Sequence, residues 1–399
     1  MEKIKIFEMF TGYGGASFAL KKADIDFECV GYSEIDKSAI KIFETNFGKD
    51  IKNYGDSTRI NPEELPDFDL LTGGFPCQPF SVNTRITSRG KSHESYNLFK
   101  DILRILEHKK PKYFLLENVK GILGEKSKEV YNLLCNGLRE IGYDLKVETL
   151  NSKDYGTPQN RNRVFFIGKY GRWEEEELNL PKKEELKLTV EDIMDKDVTR
   201  REPRIKELKI QKLNNIEKYG ESNRLDAILK NPVNKRNSNI AFEILDAPSN
   251  VVSRQSDRIY KPNYAPCLTA TGKDYIFYID EQLKVLTVKE CFRLMGFFKD
   301  EIKLDGLSET QGYKLAGNSW DINLVSKIFK GILNENKTKN IQGKIENLNK
   351  ELEIVNEKNR IIDGEIKEKE KEKEINTHYK RGIIRAMEII YPNNNNKNE

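Results

Sequence analysis

The chain has 399 residues, with 68 Lys and Arg against 64 Asp and Glu for a net charge of +4, and 37% of it is hydrophobic. That length allows about two or three domains with sizeable cores. The charge balance permits an anionic partner without demanding one, and no apolar run approaches the length of a membrane span. Five scattered cysteines with no CxxC pair argue against a disulfide framework or a zinc site and for a reducing, cytoplasmic setting. The charged start MEKIKIFEMF is not that of a secretory signal. With three histidines and no GxSxG, a serine-hydrolase triad has no support.

In chain order, residues 3–9 alternate charged and apolar side chains as a strand does. Phe10-Thr11-Gly12-Tyr13-Gly14-Gly15 follows and leads into a helix start at ASFALKKA. Strand, glycine turn and helix in that order open a dinucleotide-type fold. Residues 26–33 predict a second strand ending at Glu34, and a helix follows over about Lys37 to Phe47. Asp56 closes a further short segment. Residues 68–72 predict a third strand, delivering the stretch GGFPCQPFS at 73–81. A helix is expected over about Tyr96 to His108, a strand at Tyr113 to Leu116 ending in Glu117, a helix over about 126–141, and strands at 144–150 and 163–168. Alternating strands and helices argue for an α/β sheet covered on both faces.

From residue 169 charge runs and asparagines replace that rhythm, which predicts a second, less regular domain to about residue 285. Helical periodicity returns with LTVKECFRLMGF at 286–297 and again over 319–333. Beyond 335, Ile345, Leu348, Leu352, Val355, Asn359, Ile362 and Ile366 fall at spacings of three and four, a heptad stripe with one polar position. Tyr379, Ile383, Met387 and Ile390 make a second short stripe. Two arrangements fit equally: a two-stranded coiled coil joining two copies, and a hairpin within the chain. The end NNNNKNE, within 393–399, is expected to be disordered.

The candidate site grows from strand ends. Glycines after a strand let the backbone approach a ligand, and the helix start offers free N–H groups. Glu34 stands where a carboxylate accepts from ribose hydroxyls, and Asp56 where one accepts from an adenine amino group. The turn lacks GK[ST], and its GxGG departs from GxGxxG, so an adenosine without phosphates fits better than a nucleoside triphosphate. That points to S-adenosylmethionine. Cys77, between Pro76 and Pro79, sits in a rigid frame that suits a nucleophile of fixed direction. Such a thiolate needs a positive neighbour, for which Arg161 and Arg163 are candidates, while Cys29, Cys135 and Cys291 suit packing. Glu117, leaving an apolar strand, is placed for desolvation that raises its pKa and lets it hold a proton. In QNRNR, strand alternation sends residues 159, 161 and 163 to one face, where they suit phosphate and carbonyl oxygens.

FTGYGG at 10–15, Glu34, Gly55-Asp56, GGFPCQPFS, Asn97-Leu98-Phe99, ENV at 117–119, QNRNR at 159–163, LTVKECFRLMGF and GNSW at 317–320 occur in this order. Together they resemble the DNA (cytosine-5) methyltransferases of bacterial restriction–modification type over about residues 4–333. The resemblance implies a Rossmann-like S-adenosylmethionine-dependent domain with a mixed sheet over 1–168, completed by 286–334. It implies a target-recognition domain over 169–285, with a helical tail at 335–392 lying outside the shared pattern. It implies that Cys77 attacks carbon 6 of a flipped cytosine, that Glu117 serves ring nitrogen 3, that Arg163 contacts the base oxygen and that Arg161 supports the site. Phe10, Gly12, Gly14, Glu34, Asp56, Pro76, Leu98, Asn318 and Ser319 would line the cofactor pocket, and no metal is needed. Residues 82–95 would form a mobile loop over the base. Arg254, Gln255 and Arg258 would contact double-stranded DNA, though each also suits a solvated surface loop. A cognate restriction endonuclease is a further implied partner. The chain departs from the pattern at Trp320, where a small aliphatic residue is usual. An RNA (tRNA) cytosine-5 methyltransferase of related fold is the alternative; Gln78 and the sizeable middle region favour DNA.

Overall fold

A computed structural model describes residues 3–75, 92–173, 178–196, 198–200, 240–243, 258–270, 275–280, 282–298, 302–333 and 335–390. Cys77 and Pro76, Arg254 and Gln255, most of the expected loop at 82–95 and the end at 393–399 lie outside them.

Residues 1–333 form one compact unit. Its centre is a six-stranded sheet of β1 (Ile4–Met9), β2 (Phe27–Ser33), β3 (Leu70–Gly74), β4 (Tyr113–Val119), β5 (Tyr143–Asn151) and β7 (Asn162–Tyr170), in the order β2-β1-β3-β4-β7-β5. The first four strands are parallel, and β7 runs antiparallel to both β4 and β5. The middle stretches of the inner strands are apolar, with Leu70-Leu71, Phe114-Leu115-Leu116 and Val164-Phe165-Phe166-Ile167, as strands buried on both faces require. Side chains alternate between the faces. Leu115, Phe165 and Ile167 join a cluster with α1 (Gly15–Lys22) and the C-terminal helices, while Phe114, Leu116, Val164 and Phe166 join another with α3 (Ser92–Lys109) and α4 (Lys128–Ile141). Between β2 and β3 lies α2 (Lys37–Phe47), capped by Asp36, whose carboxylate accepts from the Ser38 and Ala39 N–H groups.

The layer over the first face is completed from the far end of the sequence by α5 (Val288–Arg293), α6 (Glu309–Asn318) and α7 (Ile322–Leu333). Both α5 and α6 begin with a capping box, Thr287 with Glu290 and Ser308 with Gln311. The stretch after residue 169 is not wholly apart from this core. Asn179 N–H donates to Gly331 O, and Val190 and Ile193 are buried in the first cluster. Beyond it, β8 (Ile240–Glu243), β9 (Arg258–Tyr260), β11 (Ile276–Ile279) and β12 (Gln282–Val285) form a sheet in the order β12-β11-β9-β8. A short parallel pair joins β6 (Gln159–Asn160) to β10 (Ala265–Pro266).

Several expectations need correction. The third helix starts at Ser92, so residues 92–95 are helix and not loop. Glu117 lies within β4, which continues to Val119 as a partner of β7. Residues 335–390 form a single helix, α8 (Glu335–Ile390), of 56 residues in a separate unit. Both tail stripes therefore lie on one continuous rod, and a hairpin between them does not form. Among the described residues no helix is long and apolar enough to cross a membrane.

Candidate functional site

In the order β2-β1-β3 the chain turns from one side of β1 to the other, and the crevice of such a sheet opens at the strand C-termini there. The glycine loop fills this switch point. Phe10 takes a left-handed φ of 53°, Gly12 one of 60° and Gly14 one of 92°. Phe10 is thus strained for a side-chain-bearing residue, a cost that clusters at ligand sites. The loop is pinned from below by Glu8, 2% exposed, which accepts from Ser17 N–H and Oγ–H and from Thr11 Oγ–H. Burial pushes the Glu8 carboxyl up from the ordinary range, and these hydrogen bonds only partly offset it.

A crevice of about 510 Å³ lies at the strand ends, and Phe10, Gly12, Glu34, Asp56, Leu98, Glu117, Arg161, Arg163 and Asn318 all line it. At one end Glu34 accepts from Gly12 N–H at 2.9 Å and from the Ile35 and Asp36 N–H groups at 2.8 Å. It both holds the loop and keeps limited capacity for a ligand hydroxyl, since a carboxylate has about four acceptor positions. Asp56 accepts from Thr58 N–H and Oγ–H, which hold its carboxyl below the usual range. Asp36, Ser38, Gln311 and Lys314 line the same end. Sequence reasoning missed them because the Asp36–Lys314 ion pair, at 2.7 Å, joins residues far apart in the chain. Ile35 is 72% exposed beside them. The acidic lining, with Lys314 tied to Asp36, suits hydroxyl and amino groups and not phosphates.

At the other end Glu117, 8% exposed, meets Arg163, whose Nε donates to Oε1 at 2.7 Å. The antiparallel register brings them together: Val119 faces Arg163 and Glu117 faces Phe165. Next to Glu117, Asn118 Nδ2 donates to Phe75 O at 3.2 Å, fixing the chain two residues before Cys77.

The expected shared face of Gln159, Arg161 and Arg163 does not form. The chain breaks between β6 and β7 at Arg161, so alternation does not run through it. Gln159 donates to Leu294 O and accepts from Leu268 N–H. Arg161, 2% exposed, donates to Leu268 O at 3.1 Å, Gly317 O at 3.3 Å and Ser319 O at 2.6 Å. Both side chains bind protein carbonyls, and Arg161 clamps the 317–319 turn to the wall. Only Arg163 reaches the acid. Behind it lies Cys267, which the sequence reading left unassigned, with Sγ 3.7 Å from both terminal Arg163 nitrogens and 3.6 Å from Arg161. Burial pushes its thiol up, but the Arg163 and Arg161 guanidiniums outweigh that and leave it below the ordinary cysteine range.

Asn318 and Ser319 lie at a small recess of about 40 Å³ beside the crevice, lined also by Phe10, Gly12, Gly15, Gly74 and Trp320. Gly14 stands apart from both linings. A Cβ there would come within 2.6 Å of the Phe47 ring, so its glycine answers packing against α2. Arg258 opens β9.

Comparison with known proteins gives one family. The model of the C-5 cytosine-specific DNA methylases matches residues 4–334. The orphan methyltransferase M.Rho11sI of Bacillus phage rho11s is 39% identical over 169 residues, 42% of this chain but only 33% of that protein. The chain thus spans about a third of that relative's length. The type II methyltransferase M.HhaI of Haemophilus parahaemolyticus is 30% identical over 333 residues, 82% of this chain and 93% of that one. In fold, the S. pombe Dnmt2 methyltransferase matches with a TM-score of 0.57 at 22% identity, covering 84% of this chain and 99% of that chain.

Proposed function

The chain belongs to the C-5 cytosine-specific DNA methylase family, and from that premise we propose that it transfers a methyl group from S-adenosylmethionine to carbon 5 of a cytosine flipped out of double-stranded DNA. One observation carries this most directly: a single crevice joins the acidic, phosphate-averse end at Glu34 and Asp36 to the buried Glu117–Arg163 pair. Glu34 and Asp56 would hold the adenosine, with Phe10, Leu98, Asn318 and Ser319 around it. Bound there, S-adenosylmethionine supplies the methyl as an electrophile on a positively charged sulfur.

The protein's own groups do the rest. A base inside a duplex hides carbon 6, so the cytosine must be extruded into the pocket. The Cys77 thiolate adds to carbon 6, and Glu117 holds a proton at ring nitrogen 3, which draws the ring electrons away and leaves carbon 5 nucleophilic. Arg163 keeps Glu117 in place and faces the base oxygen. After methyl transfer, loss of the carbon 5 proton restores the double bond and expels Cys77, leaving 5-methylcytosine.

We infer that residues 169–285 supply target recognition, with Arg254, Gln255 and Arg258 as DNA contacts. The similarity to type II methyltransferases supports a place beside a restriction endonuclease acting on the same site. The tail supports self-association. Leu348, Leu352, Val355, Ile362 and Ile366 are each about half exposed on one stripe of a continuous helix, with Asn359 at an a position that favours two strands. Sedimentation of a chain ending at Leu333 matching that of the full chain would refute the association.

Methylation of a mixed plasmid library by the purified protein, read by bisulfite sequencing, tests the reaction. Protected cytosines in one short context, lost with Cys77→Ser, are expected. No protected cytosine in any context from folded, cofactor-bound protein would overturn the DNA assignment, and methylation of tRNA in its place would establish the alternative substrate.

A further inference from the structure

Cys267 lies against the acid–arginine pair, yet the reaction described above gives it no part. Backbone register brings it there. Parallel pairing of β10 with β6 sets Ala265 opposite Gln159 and Pro266 opposite Asn160, and the same register carries Cys267 to Arg161. Gln159 Oε1 accepts from Leu268 N–H at 2.9 Å and fixes the next residue. The sulfur then stands 3.7 Å from both terminal nitrogens of Arg163 and 3.6 Å from Arg161 Nη1. Arg163 Nε holds Glu117 at 2.7 Å. The Arg163 guanidinium is thus met at both ends, by Glu117 on Nε and by Cys267 on the fork.

Charge gives that contact a purpose. Arg161 is buried, Arg163 nearly so, and the two cations oppose each other. Arg163 has the Glu117 carboxylate. Arg161 meets carbonyl oxygens and this sulfur, makes no ion pair among the described residues, and leaves Nε without a hydrogen-bond partner. A buried cation is costly without an opposite charge. Cys267 is the foremost neighbour favouring the charged form of Arg161, ahead of Glu117 and Asp321. The guanidiniums in turn favour the thiolate against the effect of burial. In the thiol form the sulfur donates to Leu268 O at 3.4 Å, a carbonyl that already accepts from Arg161. The titratable groups facing the sulfur are Arg163, Arg161 and Tyr275. We propose that Cys267 is a positioning residue for methyl transfer: its sulfur balances the two guanidiniums and holds the Arg163 fork, so that Nε stays on Glu117 while Glu117 serves the base. It acts through Arg163, and the inference rests on the proposed reaction.

Methyl transfer from labelled S-adenosylmethionine to the mixed plasmid library tests it in Cys267→Ser, Cys267→Ala and Cys267→Asp. Serine keeps the size and loses the negative charge, whereas aspartate keeps the charge at a similar size. The serine and alanine variants should lower kcat roughly tenfold to a hundredfold, the range for a contact to a charged group, with KM for cofactor and DNA within about twofold. Cys267→Asp should recover kcat to within about threefold of the unaltered protein. The difference in ultraviolet absorbance between the unaltered chain and Cys267→Ser reads the thiolate itself and should show it at neutral pH. Full kcat in the serine and alanine variants, a loss confined to KM, equal loss in three folded variants, or no thiolate signal would each overturn the proposal while the reaction stands. If Cys267→Asp does not fold, the other two variants and the absorbance decide. An unaltered, folded protein that methylates no DNA would overturn the reaction and the inference together.

Discussion

Replacing Arg161 tests whether its work is structural. The guanidinium ties three carbonyls, on Leu268, Gly317 and Ser319, to the start of β7. In Arg161→Ala those acceptors lose a charged donor and remain inside the protein, because the surrounding wall is closely packed. Each such bond to a charged group contributes about 1.5–3 kcal/mol. Relaxation and entering water return part of that, so a loss of about 3–5 kcal/mol is expected, as for breaking a buried polar pair. Against a total stability of roughly 5–15 kcal/mol, that is a large fraction. Arg161→Lys presents a compact ammonium without the planar fork, so it retains some of the contacts and should lose about half as much. Urea unfolding followed by tryptophan fluorescence reads both. A loss below about 1 kcal/mol for Arg161→Ala, with an unchanged slope, would refute the clamp.

Three further outcomes follow from the site. Glu117→Gln removes the acid but keeps the shape, and should cut the rate of methyl transfer by about 10²–10⁴-fold while cofactor affinity holds; a fully active variant would remove Glu117 from the chemistry. Cys267, its thiol lowered by Arg163 and Arg161 against the effect of burial, should be alkylated by iodoacetamide at lower pH than an ordinary thiol. Mass spectrometry of Arg163→Gln should show that profile moved upward, and an unmoved profile would contradict the pairing. Glu8 is raised above its ordinary 4.5 by burial, so in the pH window above 4.5 the folded state binds more protons than the unfolded one, and stability falls as pH rises through it. Glu8→Gln should remove that contribution, and an identical pH slope in calorimetry would show that Glu8 is not its source.

The sequence made the strand ends legible because buried parallel strands are written as short apolar runs, and Glu34, Glu117 and the glycine loop sit where those runs stop. Helix α2 matches its expected limits for a similar reason: Asp36 is a local cap. Contacts between distant segments were not legible. Arg161 was expected on the same face as Arg163 because alternation presumes an unbroken strand, and the break at Arg161 turns it towards the 317–319 turn. Helix α6 was missed although Ser308 and Gln311 spell its capping box, since its apolar spacing is interrupted by glycines. Trp320 stood out only as an unusual residue in its motif. The room for its ring depends on Gly15 and Gly74, which lie hundreds of residues away.

The late return of α6 and α7 to the first face bears on how the protein comes into being. Synthesis proceeds from the N-terminus, so the glycine loop, Cys77 and Glu117 are made long before Asn318, Ser319 and Trp320. Until residue 333 has left the ribosome the sheet has α3 and α4 on one face and only α1 and α2 on the other, and the recess lacks the wall formed by residues 318–320. A growing chain can therefore carry the reactive half of the site without the means to hold its cofactor. Under the proposed function, chains cut short before this point are expected to show no methyl transfer.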